Sequence, residues 1–95
     1  MRVEVSEAAN ADLDAIFDFG AEAFGVDAAE TYIRRFGAAY RLLGDHPYAG
    51  PVHDRVRPPI RSLSCGSHRI FYDVLDDHVL VRRVLHKSMA AELHL

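Results

Sequence analysis

Two amphipathic segments in direct succession, with only the residues around Gly25 between them, constrain the fold of this chain more than any other feature. In the first segment, apolar residues recur at three- and four-residue steps, at Leu13, Ile16, Phe17, Gly20, Ala23 and Phe24. The second segment has a longer stripe of the same kind, formed by Ala29, Tyr32, Ile33, Phe36, Tyr40 and Leu43. This spacing predicts two helices with one apolar face each. Because the link is so short, we expect an antiparallel hairpin whose two apolar faces share a single cover.

Residues at the ends of both segments are typical of helix boundaries. Ser6 is expected to cap the first helix, and Gly25 is expected to end it in a left-handed conformation. Asp27, with a glutamate three residues later, forms a capping-box pattern at the start of the second helix. Gly44 and Pro47 are expected to end that helix.

Strand patterns flank the helical pair. Residues 2–5 alternate polar side chains with valine, which predicts a short strand. The proline-rich connector over residues 46–59 is not expected to be a strand interior. Three further strands are predicted at residues 60–65, 68–75 and 78–86. Two-residue turn sequences separate these three strands, so we expect antiparallel neighbours.

The middle predicted strand is apolar on both faces. Ile70, Tyr72 and Val74 share one face, whereas Phe71 and Leu75 share the other. A strand of this kind is typically central in its sheet. We therefore predict a single α+β domain over residues 1–95, in which the helical hairpin packs on an antiparallel sheet in the order β-α-α-β-β-β.

Composition and charge argue against several classes of function. The net charge is −3, with an acidic first half and a basic second half, so tight binding to nucleic acid by this chain alone is not expected. A single cysteine, Cys65, cannot form an internal disulfide, which favours a reducing compartment. The N-terminal residues lack the apolar run of a signal peptide or membrane span. We predict a cytoplasmic protein without a membrane partner.

Motifs for metal or cofactor chemistry are not found. The glycines do not form a phosphate loop, and no nucleophile elbow is present. No pair of histidine or cysteine residues has the close spacing of a helical or knuckle-type zinc site. The residues concerned are His46, His53, Cys65, His68, His78, His86 and His94. We predict no metal and no cofactor.

In their order and spacing, several short motifs together resemble the ParE toxins of the RelE/ParE superfamily, one half of bacterial type II toxin-antitoxin pairs. The resemblance covers nearly the whole chain. It is carried by residues 11–16, by Phe24, Gly25, Ala28, Ala29 and Tyr32, by Leu43, His46, Pro47 and Gly50, by Arg61, by residues 66–68 with Phe71 and Tyr72, and by residues 83–86 with Ser88, Met89, His94 and Leu95. ParE toxins share the β-α-α-β-β-β fold predicted above.

The resemblance also implies a function, a partner and a set of contact residues. A ParE toxin inhibits DNA gyrase by binding and is not itself an enzyme. A ParD-like ribbon-helix-helix antitoxin neutralises it in a hetero-oligomeric complex, and operator DNA is contacted only through the antitoxin. The positions expected to bind the target or to carry toxicity are Arg61, Arg83, His86, Lys87, Ser88 and Met89.

Two alternatives remain open at this level. A RelE-like, ribosome-dependent mRNA endonuclease needs a base, an acid and cations around one phosphate, and this chain offers Arg61, Arg69, Arg83 and His86. Against this hypothesis, the second helix ends without a basic cluster, and no aromatic residue follows His86. The other alternative is a non-toxic module that retains only the binding of the antitoxin.

Overall fold

Two long helices and a five-stranded sheet account for most of residues 1–95, all of which the computed structural model describes. The elements are β1 (Arg2–Val5), α1 (Glu7–Phe24), α2 (Val26–Asp45), β2 (Val52–His53), β3 (Ile60–Cys65), β4 (His68–Val74), β5 (His78–His86) and α3 (Ala91–His94). The strand order is β1-β5-β4-β3-β2. β1 runs parallel to β5, and the other neighbours are antiparallel. The α+β fold and the central position of β4 are thus confirmed, but the predicted antiparallel sheet is mixed, because its edge strand β1 is parallel to β5.

The ends of α1 have the predicted signals. The Ser6 hydroxyl accepts a hydrogen bond from the backbone N–H of Ala9 at 3.0 Å and so caps the helix. Gly25 has a φ of +95°, a conformation that favours glycine, and its N–H closes the last turn of α1. These two residues fix where the first helix starts and where it stops.

The predicted capping box at the start of α2 is wrong. The helix begins at Val26, so Asp27 lies inside the first turn, and no side chain caps the N-terminus. Gly25 is both the C-cap of α1 and the N-cap of α2. A link of one residue leaves no separate position for an aspartate cap. Asp27 still places a negative charge in the first turn, where the helix dipole favours it.

The main core lies between the helices and one face of the sheet. Phe36 and Leu43 of α2 are at most 1% exposed, and they pack against buried side chains of β4 and β5. The outer part of the predicted stripe on α1 is not core, because Ala23 is exposed and Phe24 is 76% exposed. Periodicity predicts which face of a helix is apolar but not how far along its length the sheet covers it.

A second, smaller core covers the opposite face of the sheet. It is formed by Val56, Ile60, Phe71, Leu85 and Ala91, with Leu95 packed against it. Phe71 therefore lies on the face opposite Ile70 and Tyr72, as predicted, and this face points away from the helices. Leu75 lies beyond the end of β4 and is exposed, which corrects its assignment to this strand. The loop before β3 and the C-terminal α3 supply the cover. Neither α3 nor the two-residue edge strand β2 was predicted.

An aspartate of α1 completes the edge of β5. β1 pairs with β5 only as far as Val81, so the N–H of Val84 has no strand partner on that side. The Asp12 carboxylate accepts this N–H at 2.9 Å. It also accepts Nε and Nη2 of Arg83 at 2.8 and 2.9 Å. These hydrogen bonds to Asp12 raise the pKa of Arg83 and keep its guanidinium charged.

Replacing Asp12 with asparagine is expected to lower the free energy of unfolding by about 1–3 kcal/mol, measured by urea titration. The amide oxygen can still accept Val84 N–H, but the two-pronged ion pair with Arg83 is lost. The side chains of Arg83 and Asp12 are 29% and 15% exposed. Because of this partial exposure, the expected loss of free energy is smaller than for a fully buried ion pair. The control is Asp73→Asn, which breaks the more exposed pair with Arg82 and should cost less than about 1 kcal/mol. Equal losses would contradict this account.

Candidate functional site

A cleft of about 740 Å³ opens between the turn end of the helical hairpin and the β4–β5 ends of the sheet. Eight of its 12 lining residues are hydrophobic, and none carries a carboxylate. On one wall, Phe19 and Phe24 of α1 are 70% and 76% exposed. On the other wall lies Met89, which follows β5 and is 46% exposed. An exposed apolar surface of this kind is typical of a site that another molecule covers.

The floor of the cleft contains a hydrogen-bonded cluster. Tyr32 Oη lies 2.6 Å from Nδ1 of His68 and accepts the N–H of Ser67 at 2.9 Å. His68 pairs directly with His86 across β4 and β5, and the two rings are 5.2 Å apart, edge to face. Nδ1 of His86 accepts the N–H of Ser88 at 3.0 Å. Both rings are therefore oriented by contacts at Nδ1.

The approach of Tyr32 depends on glycine in the β3–β4 turn. Gly66 has a φ of +58°, and a Cβ at this position would lie 2.6 Å from the Tyr32 ring. Any larger residue would push the tyrosine away from His68. Burial lowers the pKa of His68, and positive charge on His86 lowers it further. Burial therefore favours the neutral form of His68.

Four of the predicted target-binding residues are neighbours at this cleft. His86, Lys87, Ser88 and Met89 form the exposed turn that follows β5. The N–H of Lys87 donates to the carbonyl of Ser67 at 2.9 Å, which anchors this turn to the β3–β4 hairpin. The turn thus presents a cation and a thioether beside an apolar surface.

The predicted arginines do not join this group. Arg61 donates to the Gly50 carbonyl at 2.8 Å and stacks on Tyr48 at 4.9 Å from its ring centre. Cys65 is the residue of β3 that pairs with His68, and Arg61 lies four residues away along the same strand. This separation corresponds to about 13 Å of extended backbone.

The other two arginines are also placed elsewhere. Arg83 is bound by Asp12 and donates to the His94 carbonyl at 2.7 Å. Arg69 alternates with His68 and Ile70 along β4, so it lies on the opposite face of the sheet. The four residues considered for a nuclease are not gathered around one point.

The sequence-based reasoning missed three residues of the cleft. Tyr32 was assigned to the core, His68 was considered only as a metal ligand, and Phe19 lies off the predicted stripe of α1. An exposed phenylalanine on the polar side of an amphipathic helix was the available signal for the cleft. The pairing of His68 with His86 had no comparable signal, because hairpin turns alone do not fix strand register.

Two general features of the molecule bear on its chemistry. None of the three helices is long and apolar enough to cross a membrane. No three histidine, cysteine, aspartate or glutamate side chains are placed together so that they could hold a metal ion.

Comparison with known proteins identifies the family. Residues 3–91 match the family model described as the ParE toxin of the type II toxin-antitoxin system parDE. The chain belongs to the ParE toxin family. The match extends from β1 to α3, which confirms the resemblance described above and the assignment to type II toxin-antitoxin systems.

Individual relatives agree with the ParE assignment. Toxin ParE1 of Caulobacter vibrioides is 37% identical over 91 residues, covering 96% of this chain and 94% of the relative. Toxin ParE1 of Mycobacterium tuberculosis is 39% identical over 95 residues, covering 99% and 97%. A solved structure of a chromosomal ParDE TA system from P. aeruginosa has a TM-score of 0.80, covering 90% of this chain and 95% of that chain. At 20% identity, this last likeness supports the ParE fold alone.

Proposed function

We propose that this ParE-family chain inhibits DNA gyrase by binding and that a ParD-like ribbon-helix-helix antitoxin neutralises it. The observation that carries the choice of binding over catalysis is the dispersal of the candidate nuclease residues. Cleavage of RNA needs an acid, a base and cations around one phosphate. Here Arg83 is neutralised by Asp12, Arg61 is tied to Gly50, and Arg69 faces away from His86.

The cleft supports the proposed antitoxin as a partner. A C-terminal antitoxin segment that folds on binding can cover exposed apolar side chains such as Phe19 and Phe24 while it wraps a large surface. The resulting complex is hetero-oligomeric. Operator DNA is reached only through the antitoxin, because the net charge of −3 gives this chain little affinity for a phosphate backbone. The complex acts in the cytoplasm, where gyrase works.

The turn after β5 is proposed to contact the target. Lys87 and Met89 are exposed and free to touch a partner, and His86 and Ser88 shape the turn between them. Arg83 holds α3 through the His94 carbonyl, so it positions the C-terminal residues from behind. Arg61 stabilises the loop before β3, and its contribution to target binding comes through that loop.

Two activity assays on the purified chain test the proposal. In a DNA supercoiling assay, we expect the chain to inhibit gyrase and to trap its cleaved-DNA complex, and equimolar antitoxin should restore activity. In a ribosome-dependent assay, messenger RNA should stay intact. Cleaved RNA with normal supercoiling would instead identify a nuclease. Neither effect, in a chain that still binds its antitoxin, would identify a non-toxic binding module.

The antitoxin is also expected to raise the melting temperature of this chain. A partner present at 100 times its Kd adds about 2.7 kcal/mol to the free energy of unfolding, or roughly 10 °C or more for a domain of this size. Differential scanning fluorimetry measures the shift. The same antitoxin without its C-terminal segment is the control and should leave the melting temperature unchanged. No shift with the full antitoxin would rule out the proposed pairing.

A further inference from the structure

The turn that follows β5 fixes the orientation of the His86 ring through contacts at Nδ1. Ser88 N–H donates to Nδ1 at 3.0 Å, and Ser88 Oγ lies 2.8 Å from the same nitrogen. An N–H donor requires a lone pair, so Nδ1 carries no proton and the ring proton is on Nε2. Protonation of Nδ1 would point its N–H at the N–H of Ser88 and break this hydrogen bond.

His68 disfavours a second positive charge beside it. Its ring is 5.2 Å from that of His86, and Nδ1 is held by Tyr32 Oη at 2.6 Å. Burial lowers the pKa of His68, as does the proximity of His86. Two imidazolium rings at this distance repel each other. Protonation of both rings would therefore place two repelling charges side by side on the floor of the cleft.

No carboxylate lies among the residues that line the cleft around the pair. The residues that α1 contributes to the cleft are all non-ionisable. From α2, Tyr32 faces the pair, and the Arg35 guanidinium lies 5.5 Å over its ring. Lys87, at the end of β5, and Arg35 both act electrostatically on Cys65, which pairs with His68. Neither histidine of the pair forms a salt bridge with a carboxylate. Nothing in the cleft compensates a protonated ring.

We propose that the His68–His86 pair makes antitoxin docking sensitive to pH, because the antitoxin segment lays apolar side chains over the two neutral rings. This inference rests on the proposed function, since the occupant of the cleft is the antitoxin. Acidic residues of the segment lie at the rim, beside Arg35 and Lys87, and not over the pair. The partner is therefore an amphipathic segment with its apolar face on the histidines.

The direction of the pH effect follows from linkage. Covering the rings removes water from them and disfavours their charged form, so the complex holds fewer protons than the free chain. The affinity for the antitoxin is then highest at a pH where both rings of the free chain are neutral. It falls as the pH drops and the free rings become protonated. Release of one proton on binding weakens the affinity by about tenfold for each pH unit below that point.

The test is the Kd of the full-length cognate antitoxin, measured by fluorescence anisotropy from about pH 7.5 to about pH 5.5. We expect the affinity of the wild type to fall by about fivefold to tenfold over this range. The same fall is expected in His46→Gln, because His46 is exposed and lies outside the cleft. In the His68→Gln, His86→Gln double variant, the loss should be less than threefold. Histidines of the antitoxin titrate in the same way with the wild type and with both variants. Their effect on the Kd therefore cancels when the three are compared.

The outcomes separate this inference from the proposed function. Tight binding with the same pH slope in the double variant overturns the inference and leaves the toxin-antitoxin assignment intact. Tighter binding in acid, abolished in the double variant, also overturns it, because a carboxylate then lies over the pair. No binding at any pH overturns both. If the double variant does not fold, NMR titration of the two rings in the wild type decides, since their pKa values must be lower in the complex than in the free chain.

Discussion

Replacing Phe36 with alanine is expected to lower the free energy of unfolding by about 3–5 kcal/mol. The side chain is 1% exposed and packs in the main core. Its ring centre lies 5.6 Å from that of Tyr32 and 6.2 Å from that of His68. Truncation would leave a cavity under α2 that the rigid sheet cannot fill. Urea titration measures the loss.

The control for Phe36→Ala is a substitution on the solvent face of the same helix. Arg34 is exposed, and its contact is a hydrogen bond to Thr31 Oγ at 3.2 Å. Arg34→Ala should therefore cost less than about 0.5 kcal/mol. If the two variants lost similar amounts, the assignment of the buried face of α2 would be wrong.

Growth arrest by this chain is expected to disappear almost completely when Lys87→Glu and Met89→Ala are combined. The two side chains are exposed in the turn after β5, so the changes alter a contact surface and leave the core intact. Reversal of a charge and removal of an apolar anchor both weaken a protein interface. His86→Gln should reduce toxicity only modestly. Growth curves at matched expression give the comparison.

Substitution is a sharper test of this turn than truncation of residues 87–95. That truncation would remove Ala91, which is 4% exposed in the second core, and the His94 carbonyl that Arg83 binds. Its effect on toxicity could not be separated from unfolding. Arg41→Glu is the matched charge reversal at an exposed position on α2. It should leave growth arrest unchanged, and circular dichroism should show native folding for every variant.

A catalytic His86 would give the opposite pattern in these experiments. General acid-base catalysis contributes about 10² to 10⁴ in rate, so a nuclease would lose nearly all toxicity in His86→Gln. Cleaved messenger RNA would then appear in cells that express the wild type. A folded but harmless His86→Gln variant, together with such cleavage, would replace the proposal of gyrase inhibition with that of a nuclease.

The long elements could be predicted because their signals are local. The stripe that contains Phe36 and Leu43 repeats over the whole length of α2, and Ser6 caps α1 through a residue three positions away. The exposed end of α1 at Phe24 could not be predicted. Its apolar character is visible in the sequence, but the extent of the sheet beneath it depends on contacts between distant residues.

The second core was missed for a related reason. Ala91 and Leu95 show no helical period, because α3 is only four residues long. What holds α3 in place is the apolar face of Phe71 and Leu85, which are far away in the sequence. The strand pattern did predict that the far side of β4 is apolar. It did not predict which segment would cover that side.

The candidate site was predicted in part. Residues 86–89 are consecutive, so their grouping needs only the end of a strand. Arg61 and Arg83 were expected at the same surface, but each is held by a local partner, the Gly50 carbonyl and the Asp12 carboxylate. Such pairings depend on where α1 and the loop before β3 lie against the sheet, and no short motif encodes them.

The register irregularity in the β4–β5 pair decides which side of the sheet each residue at the end of β5 faces. Tyr72 pairs with Val81, but Phe71 pairs with Arg83. Arg82 is therefore an extra residue that has no pairing partner in β4. Before it, odd-numbered positions such as Val81 face the helices. After it, the even-numbered Val84 and His86 do, while Leu85 enters the second core. If Arg82 paired with Phe71, the alternation along β5 would continue unbroken, and Leu85 would stand opposite His68. Deletion of Arg82 would therefore leave His86 opposite His68, whereas pairing of Arg82 with Phe71 would turn His86 toward the second core and expose a leucine to the cleft.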